Sequence, residues 1–205
     1  MNHRAYPIIK RSGCINWSEI PVLKIDHVLW LPDAGIQAEG QLYYDEDGLY
    51  LHMRATEENI RAEYTEPLSP VCCDSCLEFF FQIEGEENYF NFEINPNGCM
   101  CIQYGKEERF DIVQENGKEY FSVTTNETDD GWEVFYRIPL KFIRLFHQDY
   151  AFDRDIKANM YKCGNYTVTK HFLAWKPINT EKPNFHKPEC FGAMTFEDVH
   201  STEQD

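Results

Sequence analysis

Basic residues are scarce in this sequence, which has 19 Lys and Arg against 35 Asp and Glu and a formal net charge of −16. A nucleic acid or an anionic membrane would repel such a chain, so we expect neither as a partner. Long apolar runs are also missing, and no segment approaches the roughly 20 residues that a membrane-spanning helix needs. The charge fits a neutral ligand, or simply a well-solvated surface.

Several familiar sequence signals are missing as well. Residues 1–10 hold no apolar region of signal-peptide length, which leads us to expect a cytoplasmic protein. The sequence has no Gly-x-Gly-x-x-Gly, no Walker loop and no Gly-x-Ser-x-Gly. These absences argue against the common nucleotide-binding sites and against a serine-hydrolase nucleophile.

Cysteine, by contrast, is well represented, with eight residues. In a reducing compartment we expect them to be thiols that pack as small apolar side chains. Disulfides, or a metal site among residues 72–76 and 99–101, stay open as alternatives, although the spacing lacks two Cys-x-x-Cys pairs. We expect no cofactor, and a structural calcium ion at the acidic turn 45–47 is the alternative. The cysteines are Cys14, Cys72, Cys73, Cys76, Cys99, Cys101, Cys163 and Cys190.

Alternation of apolar and polar residues dominates the middle of the chain, in two runs at 71–81 and 89–98. In the second run Phe90, Phe92 and Ile94 share one face of a strand. Asn91, Glu93 and Asn95 then share the other face. Such a pair of runs predicts neighbouring antiparallel strands with one core face and one polar face.

Similar signals recur along the chain. A hairpin is predicted over 41–44 and 49–55, and a short helix near 140–146 follows Pro139. Polar, Pro-containing segments at 57–70 and 177–188 predict two long loops. Further strands are expected at 99–104, 118–124, 132–138, 156–162, 167–175 and 191–197.

The pattern predicts an all-β fold: a two-sheet antiparallel β-sandwich of the immunoglobulin or jelly-roll kind, with one short helix. We expect a single domain over 1–205. An N-terminal arm is expected at about 1–20, and a short disordered tail at about 199–205.

Four motifs occur in an order that resembles the family 9 carbohydrate-binding modules. They are Asp74-Ser75-Cys76-Leu77-Glu78-Phe79-Phe80, Ile138-Pro139, the strand around Ala158-Asn159, and Pro188-Glu189-Cys190-Phe191-Gly192-Ala193-Met194. The similarity extends from about Leu42 to Glu197. It implies a sandwich related to the DOMON domains and a non-catalytic site that holds a sugar between two Trp side chains.

The resemblance carries over to individual residues only in part. Glu78 matches a family acidic residue that accepts hydrogen bonds from sugar hydroxyls. The two slot Trp positions fall at Val71 and at Phe185, so one aromatic ring is kept and the other is lost. A family Arg aligns with Glu93, which reverses its charge, and Trp175 matches a family Trp.

Together these considerations predict a site for a mono- or oligosaccharide, built by the loops at 57–75 and 176–190 over one sheet face. The residues predicted to bind it are Arg54, Glu78, Glu93, Asn95, Asn159, Trp175, Phe185 and His186.

Three other interpretations remain open. The polar face could be an ordinary solvated sheet surface. Glu78 and Glu93 could be the paired carboxylates of a glycoside-processing enzyme. A haem-binding DOMON-like domain would need axial ligands such as His52, Met53 or His171.

Overall fold

The computed structural model describes residues 5–13 and 15–198. Cys14, the first four residues of the expected arm and the expected tail at 199–205 lie outside the described residues. Within the described part, no helix is long and apolar enough to cross a membrane. The helices are α1 (Gly117–Tyr120), α2 (Leu140–Ile143) and three 3-10 turns at Trp17–Glu19, Val71–Cys73 and Pro188–Cys190.

Fourteen strands are formed among the described residues, as the all-β prediction requires. They are β1 (Tyr6–Lys10), β2 (Leu23–Ile25), β3 (His27–Val28), β4 (Gln37–Tyr44), β5 (Gly48–Thr56), β6 (Ser75–Ile83), β7 (Tyr89–Ile94), β8 (Met100–Gly105), β9 (Arg109–Asp111), β10 (Thr124–Thr128), β11 (Gly131–Pro139), β12 (Ile156–Gly164), β13 (His171–Ala174) and β14 (Gly192–Glu197). The predicted β-sandwich is thereby confirmed.

The strands follow one hydrogen-bonded path, in the order β10-β11-β5-β4-β1-β14-β12-β6-β7-β8-β9, which curls over to form the two layers. β13 and β3 extend the second half beside β12, and β2 pairs with β4. Most neighbours are antiparallel, as predicted. β1 is the exception, because it pairs in parallel with both β14 and β4.

The main core lies between the two halves and is built by period-two alternation. Leu51 of β5 and Phe79 of β6 are both fully buried in it. Phe90, Phe92 and Ile94 of β7 join the same core, on the face that the alternation predicts. A second, smaller cluster lies on the outer face of β6, β7 and β12, where loops cover the sheet.

The predicted hairpin is present as β4 and β5, joined at the acidic turn. Asp45 closes this turn, because its Oδ1 accepts the backbone N–H groups of Asp47 at 2.8 Å and Gly48 at 3.1 Å. The helix expected near 140–146 is present as α2, shortened to Leu140–Ile143. The alternation at 49–55 is also reproduced, since Leu49, Leu51, Met53 and Ala55 are all buried.

Three segments differ from the sequence-based prediction. The strand expected at 167–175 is confined to His171–Ala174, since residues 165–169 form bends. Residues 118–124 were expected to be a strand, but Gly117–Tyr120 forms α1 and the strand begins only at Thr124. Asn116 has a left-handed φ of 54° and turns the backbone into the helix, which the apolar pattern does not reveal. The expected N-terminal arm contains β1 at Tyr6–Lys10, a strand inside the sheet.

Candidate functional site

The outer face of β6, β7 and β12 carries the candidate site. Residues next to each other along a strand point to opposite faces, so Glu78 points outward because Leu77 and Phe79 point into the main core. Glu93 of β7 lies directly opposite Glu78 in the antiparallel pairing. Cys163 of β12 likewise lies opposite Cys76. Two carboxyls and two thiols are thereby collected on one patch of sheet.

Three separate segments cover this patch and leave a cavity of about 210 Å³. They are the chain after β3, the 3-10 turn at 71–73 and the loop between β13 and β14. The cavity is lined by Trp30, Cys72, Glu78, Glu93, Cys163, Asn165, Phe172, Pro183, Asn184, Phe185 and His186. The loop at 176–190 therefore contributes to a cavity, as expected, over a floor made by the strands.

Aromatic rings form one side of the cavity. Trp30 and Phe185 have ring centroids 5.5 Å apart at an interplanar angle of 38°, and Phe172 meets Trp30 edge-on at 5.4 Å. At these separations the rings contact one another. They therefore make a single continuous wall rather than the two sides of a slot.

Two of the three rings of this wall, those of Trp30 and Phe185, are held in place by hydrogen bonds and stacking. The indole Nε1–H of Trp30 donates to the carbonyl of Thr180 at 2.9 Å, which ties the chain after β3 to the loop at 176–190. Tyr161 stacks on Phe185 with centroids 4.1 Å apart, and its hydroxyl donates to the Phe185 carbonyl at 3.1 Å. The wall is thus preorganised for a ligand.

The floor of the cavity carries the two carboxyl groups, both almost inaccessible to solvent. A carboxyl oxygen of Glu78 accepts a hydrogen bond from the Cys163 thiol at 2.9 Å, and one of Glu93 accepts from the Asn91 amide at 3.0 Å. Burial, and then the neighbouring Glu93 charge, raise the pKa of Glu78 well above its usual range. Burial raises the pKa of Glu93 to about 7, against the opposing effects of Asn91 and Arg109. The pair therefore holds at least one proton at neutral pH.

His186 closes the cavity on the loop side. Its Nδ1 lies 2.9 Å from the Tyr89 hydroxyl, and its ring stacks near Phe80 at 5.1 Å. Burial, with a smaller effect of Arg109, lowers the pKa of His186 to about 4. The imidazole is therefore neutral at pH 7 and can take part in hydrogen bonding without adding a charge.

The thiols of this region are free, as are all seven cysteines in the described residues. Donor atoms of Cys76, Glu78 and Cys163 lie within 4.8 Å of one another, and thiolate with carboxylate is a set that zinc accepts. In the structure these groups hydrogen-bond to one another instead, through Cys163 and Glu78. Burial raises the pKa of Cys76 to about 12, which keeps that thiol protonated.

The structure brings four of the eight predicted residues to this cavity, namely Glu78, Glu93, Phe185 and His186. The other four lie elsewhere. Arg54 is on β5 in the other half of the sandwich, where its guanidinium forms an ion pair with Asp130 at 2.5 Å. A shared polar pattern does not place two strands in the same half of the sheet.

Asn95 lies on the predicted face of the sheet, but its polar atoms serve the fold. Its Nδ2–H donates to the Tyr64 carbonyl and to Asp74, both at 2.8 Å, and its Oδ1 accepts the Cys99 N–H at 2.9 Å. With all of these contacts made inside the protein, Asn95 fastens the loop before β6.

Asn159 and Trp175 are also structural. The side chain of Asn159 pairs with the backbone of Lys176, donating at 3.0 Å and accepting at 2.9 Å, which continues the β12–β13 ladder beyond its end. Trp175 packs edge-on against Tyr6 at the margin of the main core and lies over Gly192. Neither side chain lines the cavity.

Trp30 is the main site residue that sequence reasoning missed, because the segment Val28-Leu29-Trp30 resembles an edge strand. β3 ends at Val28, and Trp30 takes a left-handed φ of 58° that directs the chain away from the sheet. The following Leu31-Pro32 was the available signal, since a proline close after a strand marks a loop. The other slot position holds Val71, which has no aromatic ring and is fully buried.

Three larger cavities, of about 570, 630 and 310 Å³, lie elsewhere in the described part of the molecule. No aromatic side chain lines any of them. They are therefore less suited to a sugar than the smaller cavity, despite their size.

The two histidines considered for haem already have partners for both ring nitrogens. His52 lies 3.0 Å from Gln41 and 2.9 Å from Glu133. His171 lies 2.8 Å from the Lys162 ammonium and 2.7 Å from a backbone carbonyl.

The comparison with family models agrees with this arrangement. The model of carbohydrate-binding family 9 matches residues 11–196, most of the chain. The chain belongs to carbohydrate-binding family 9. The resemblance detected in the sequence is thereby confirmed, and the family function is non-catalytic carbohydrate binding. No significant match is found among curated proteins.

Solved structures resemble this family 9 chain over nearly its full length. A Bacteroides uniformis protein to which carbohydrate binding is attributed is 27% identical, with a TM-score of 0.78, over 95% of this chain and 99% of its own. A family 9 module from Caldicellulosiruptor kristjanssonii in complex with cellotriose is 12% identical, with a TM-score of 0.66, over 98% of each chain. The same organism's module in complex with glucose has a TM-score of 0.65 at 12% identity, over 98% of this chain and 100% of its own. The Caldicellulosiruptor structures support the fold.

Proposed function

We propose that this chain binds a mono- or oligosaccharide in the cavity over β6, β7 and β12, without chemical change to the sugar. The observation that carries the proposal is the convergence of an aromatic wall and two carboxyl groups on one cavity. Trp30 and Phe185 supply the wall, and Glu78 and Glu93 supply the floor. Family membership supports the same function.

The chemistry of a pyranose matches these two surfaces. Its axial C–H groups form an apolar face that packs on aromatic rings, as Trp30 and Phe185 offer. Its hydroxyls need directed partners, and the carboxyls of Glu78 and Glu93 can accept from them. Since the carboxyls already lie in a water-poor environment, each new hydrogen bond costs little further desolvation.

The size of the cavity limits the part of the ligand that it can hold. About 210 Å³ lies below the roughly 300–1,000 Å³ common for drug-sized ligands. One sugar unit fits that volume, either as a free monosaccharide or as the end of a longer chain. We therefore propose recognition of a single terminal unit.

Binding without catalysis is supported by the positions of the two carboxyls as well as by the family. A glycosidase needs an acid and a base or nucleophile on either side of a scissile bond. Here Glu78 and Glu93 are neighbours on one flat sheet surface and face the same side of any ligand. We expect no turnover of aryl glycosides. Turnover that disappears in Glu78→Gln would overturn the non-catalytic assignment.

The aromatic wall provides the direct test of sugar binding. We expect Phe185→Ala and Trp30→Ala each to weaken the binding of glucose or cello-oligosaccharides about tenfold or more, because each removes ring surface that the sugar would cover. Isothermal titration calorimetry measures the dissociation constants, and circular dichroism verifies that the variants remain folded.

Phe110→Ala is the matched control, because Phe110 is 67% exposed and lies outside the cavity. It should leave sugar affinity unchanged. A folded wild-type protein that gives no heat with any sugar at millimolar concentration would refute the proposal, as would equal affinities in wild type and Phe185→Ala.

A further inference from the structure

The two cavity carboxyls lack a cationic partner. Glu78 accepts from the thiol of Cys163 and Glu93 from the amide of Asn91, and both donors are neutral. Within residues 5–13 and 15–198, neither carboxyl takes part in an ion pair. Two adjacent buried carboxyls with only neutral hydrogen-bond donors are unusual for a site with a purely structural role, because buried carboxylates usually have a cationic partner.

The two basic side chains that influence the carboxyls, Lys162 and Arg109, interact with other partners. Lys162 lies beside this region, but its ammonium is 3.0 Å from Glu57 and is fully buried there. Arg109 influences Glu93 from β9, and its guanidinium hydrogen-bonds with Gln103 at 3.3 Å. Among the described residues, neither forms an ion pair with Glu78 or Glu93.

Apart from Arg109 and Lys162, the titratable groups around the pair carry no charge at neutral pH. Besides Glu78 and Glu93 themselves, the titratable and charged groups that face them are Cys72, Cys76, Tyr89, Cys101, Arg109, Tyr161, Lys162, Cys163 and His186. The thiols and phenols among them have raised pKa values, and His186 is neutral. Among these groups, only Arg109 and Lys162 are positively charged and would repel a bound cation.

We propose that the cavity selects a sugar bearing a free, protonated amine, a hexosamine such as glucosamine, over the neutral sugars. This inference rests on the sugar-binding function proposed above. The ammonium would lie between Glu78 and Glu93 and supply the missing charge, while the ring packs on Trp30 and Phe185. Charge-assisted hydrogen bonds are about twice as strong as neutral ones, so the amine is the dominant polar anchor.

An N-acetylated sugar should bind less well for two reasons. Its amide is neutral and leaves the carboxyls unpaired, and its acetyl group adds bulk at the position where the ammonium would contact the carboxyls. Glucose keeps the ring and replaces the ammonium by a hydroxyl. The three sugars therefore isolate the contribution of the charge.

Calorimetry with glucosamine, glucose and N-acetylglucosamine at pH 7 tests the inference. We expect glucosamine to bind about tenfold or more tightly than glucose, and N-acetylglucosamine most weakly. Titrations in buffers of different ionisation enthalpy should show that glucosamine binding releases protons, because the cation displaces the proton held by the carboxyl pair. Glucose binding should release none.

The variant that tests the role of the charge is Glu93→Gln, which keeps the size of the side chain. It should abolish the preference for glucosamine over glucose, measured as the ratio of the two dissociation constants, whatever its effect on glucose affinity itself. Glu119→Gln, at an exposed position, is the control and should keep the preference. The wild-type comparison of three sugars needs no variant, so a Glu93→Gln protein that fails to fold does not prevent the test.

The outcomes separate this inference from the function on which it rests. Equal affinities for glucose and glucosamine would overturn the amine preference and leave sugar binding intact. Absence of binding by every sugar would overturn both.

Discussion

At the scale of single residues, the most consequential feature is the pair Glu78 and Glu93. Alternation along a strand put them on the face opposite the core, where a glutamate normally meets water. The loops that cover this face bury them instead, with 2% and 8% of their surfaces exposed. Their protonation is therefore linked to folding, because the folded and unfolded chains bind protons differently.

The stability of the protein should report this linkage. Burial raises the pKa of Glu93 from 4.5 to about 7. The stability contributed by its bound proton is fully present below about pH 4.5 and is lost as the pH rises through 7. Glu93→Gln has no proton to lose. The stability of the variant minus that of wild type should therefore be greater at pH 8 than at pH 4.5, by on the order of 1–3 kcal/mol in the free energy of unfolding.

Urea denaturation of wild type and Glu93→Gln at several pH values measures this difference. Glu119→Gln, at an exposed position, is the matched control for the change from Glu to Gln. His171 changes stability in the opposite direction, because burial lowers its pKa to about 4, but it is present in both proteins and its effect cancels. A flat difference for Glu93→Gln between pH 4.5 and 8 would contradict the assigned linkage.

At the scale of elements, β1 decides how the two halves of the sandwich join. It lies between β4 of one half and β14 of the other, in parallel with both. Parallel pairing brings together segments that are far apart in sequence. The strand is short and lies near the start of the chain, which is why its sequence resembles an arm.

We expect Ile8→Ala to destabilise the protein by about 2–5 kcal/mol, as for other buried aliphatic side chains. Ile8 is fully buried in the main core, whereas the next residue, Ile9, points the other way and is half-buried. Ile9→Ala is therefore the control within the same strand and should cost clearly less. Thermal or urea unfolding measures both. If the two substitutions cost the same, β1 would not be seated as described.

The covering segments are the elements that make the cavity, and they are the least regular parts of the fold. Asp74 directly follows the 3-10 turn at 71–73 and ties it to the loop before it, because its carboxylate accepts the backbone N–H groups of Glu63 at 3.0 Å and Tyr64 at 2.9 Å. Trp30 fixes another through Thr180. Loops held by such contacts can present binding residues without being ordered by the ligand.

At the scale of the whole molecule, the net charge of −16 is the dominant property. Like charges on a compact chain repel one another and reduce its stability. Raising NaCl from about 0.02 M to about 0.5 M shortens the screening length from roughly 20 Å to about 4 Å. The melting temperature at pH 8 should therefore rise by a few degrees.

The same titration near pH 5 is the control, because the sequence pI is about 4.8 and little net charge remains there. The salt effect should then nearly vanish. Equal salt effects at pH 5 and pH 8 would show that specific ion binding, rather than screening of net charge, is responsible.

The sequence by itself determined which face of each strand is apolar. Alternation around Phe92 and Leu51 fixed the core, and through it the all-β class and the outward direction of Glu78 and Glu93. The motifs from Asp74 to Met194 also determined the family, because they depend on residue type and order alone. Phe185 and His186 could be associated with the site only through that resemblance.

The tertiary structure decided which polar residues come together. Arg54 and Glu78 follow the same pattern along their strands, yet the curl of the sheet puts them in opposite halves. Trp30 comes to Phe185 across more than 150 residues, through a left-handed backbone turn and a hydrogen bond to Thr180. A local pattern encodes the direction of a side chain relative to its own strand. The position of one strand or loop against another is set by packing, and packing created the cavity.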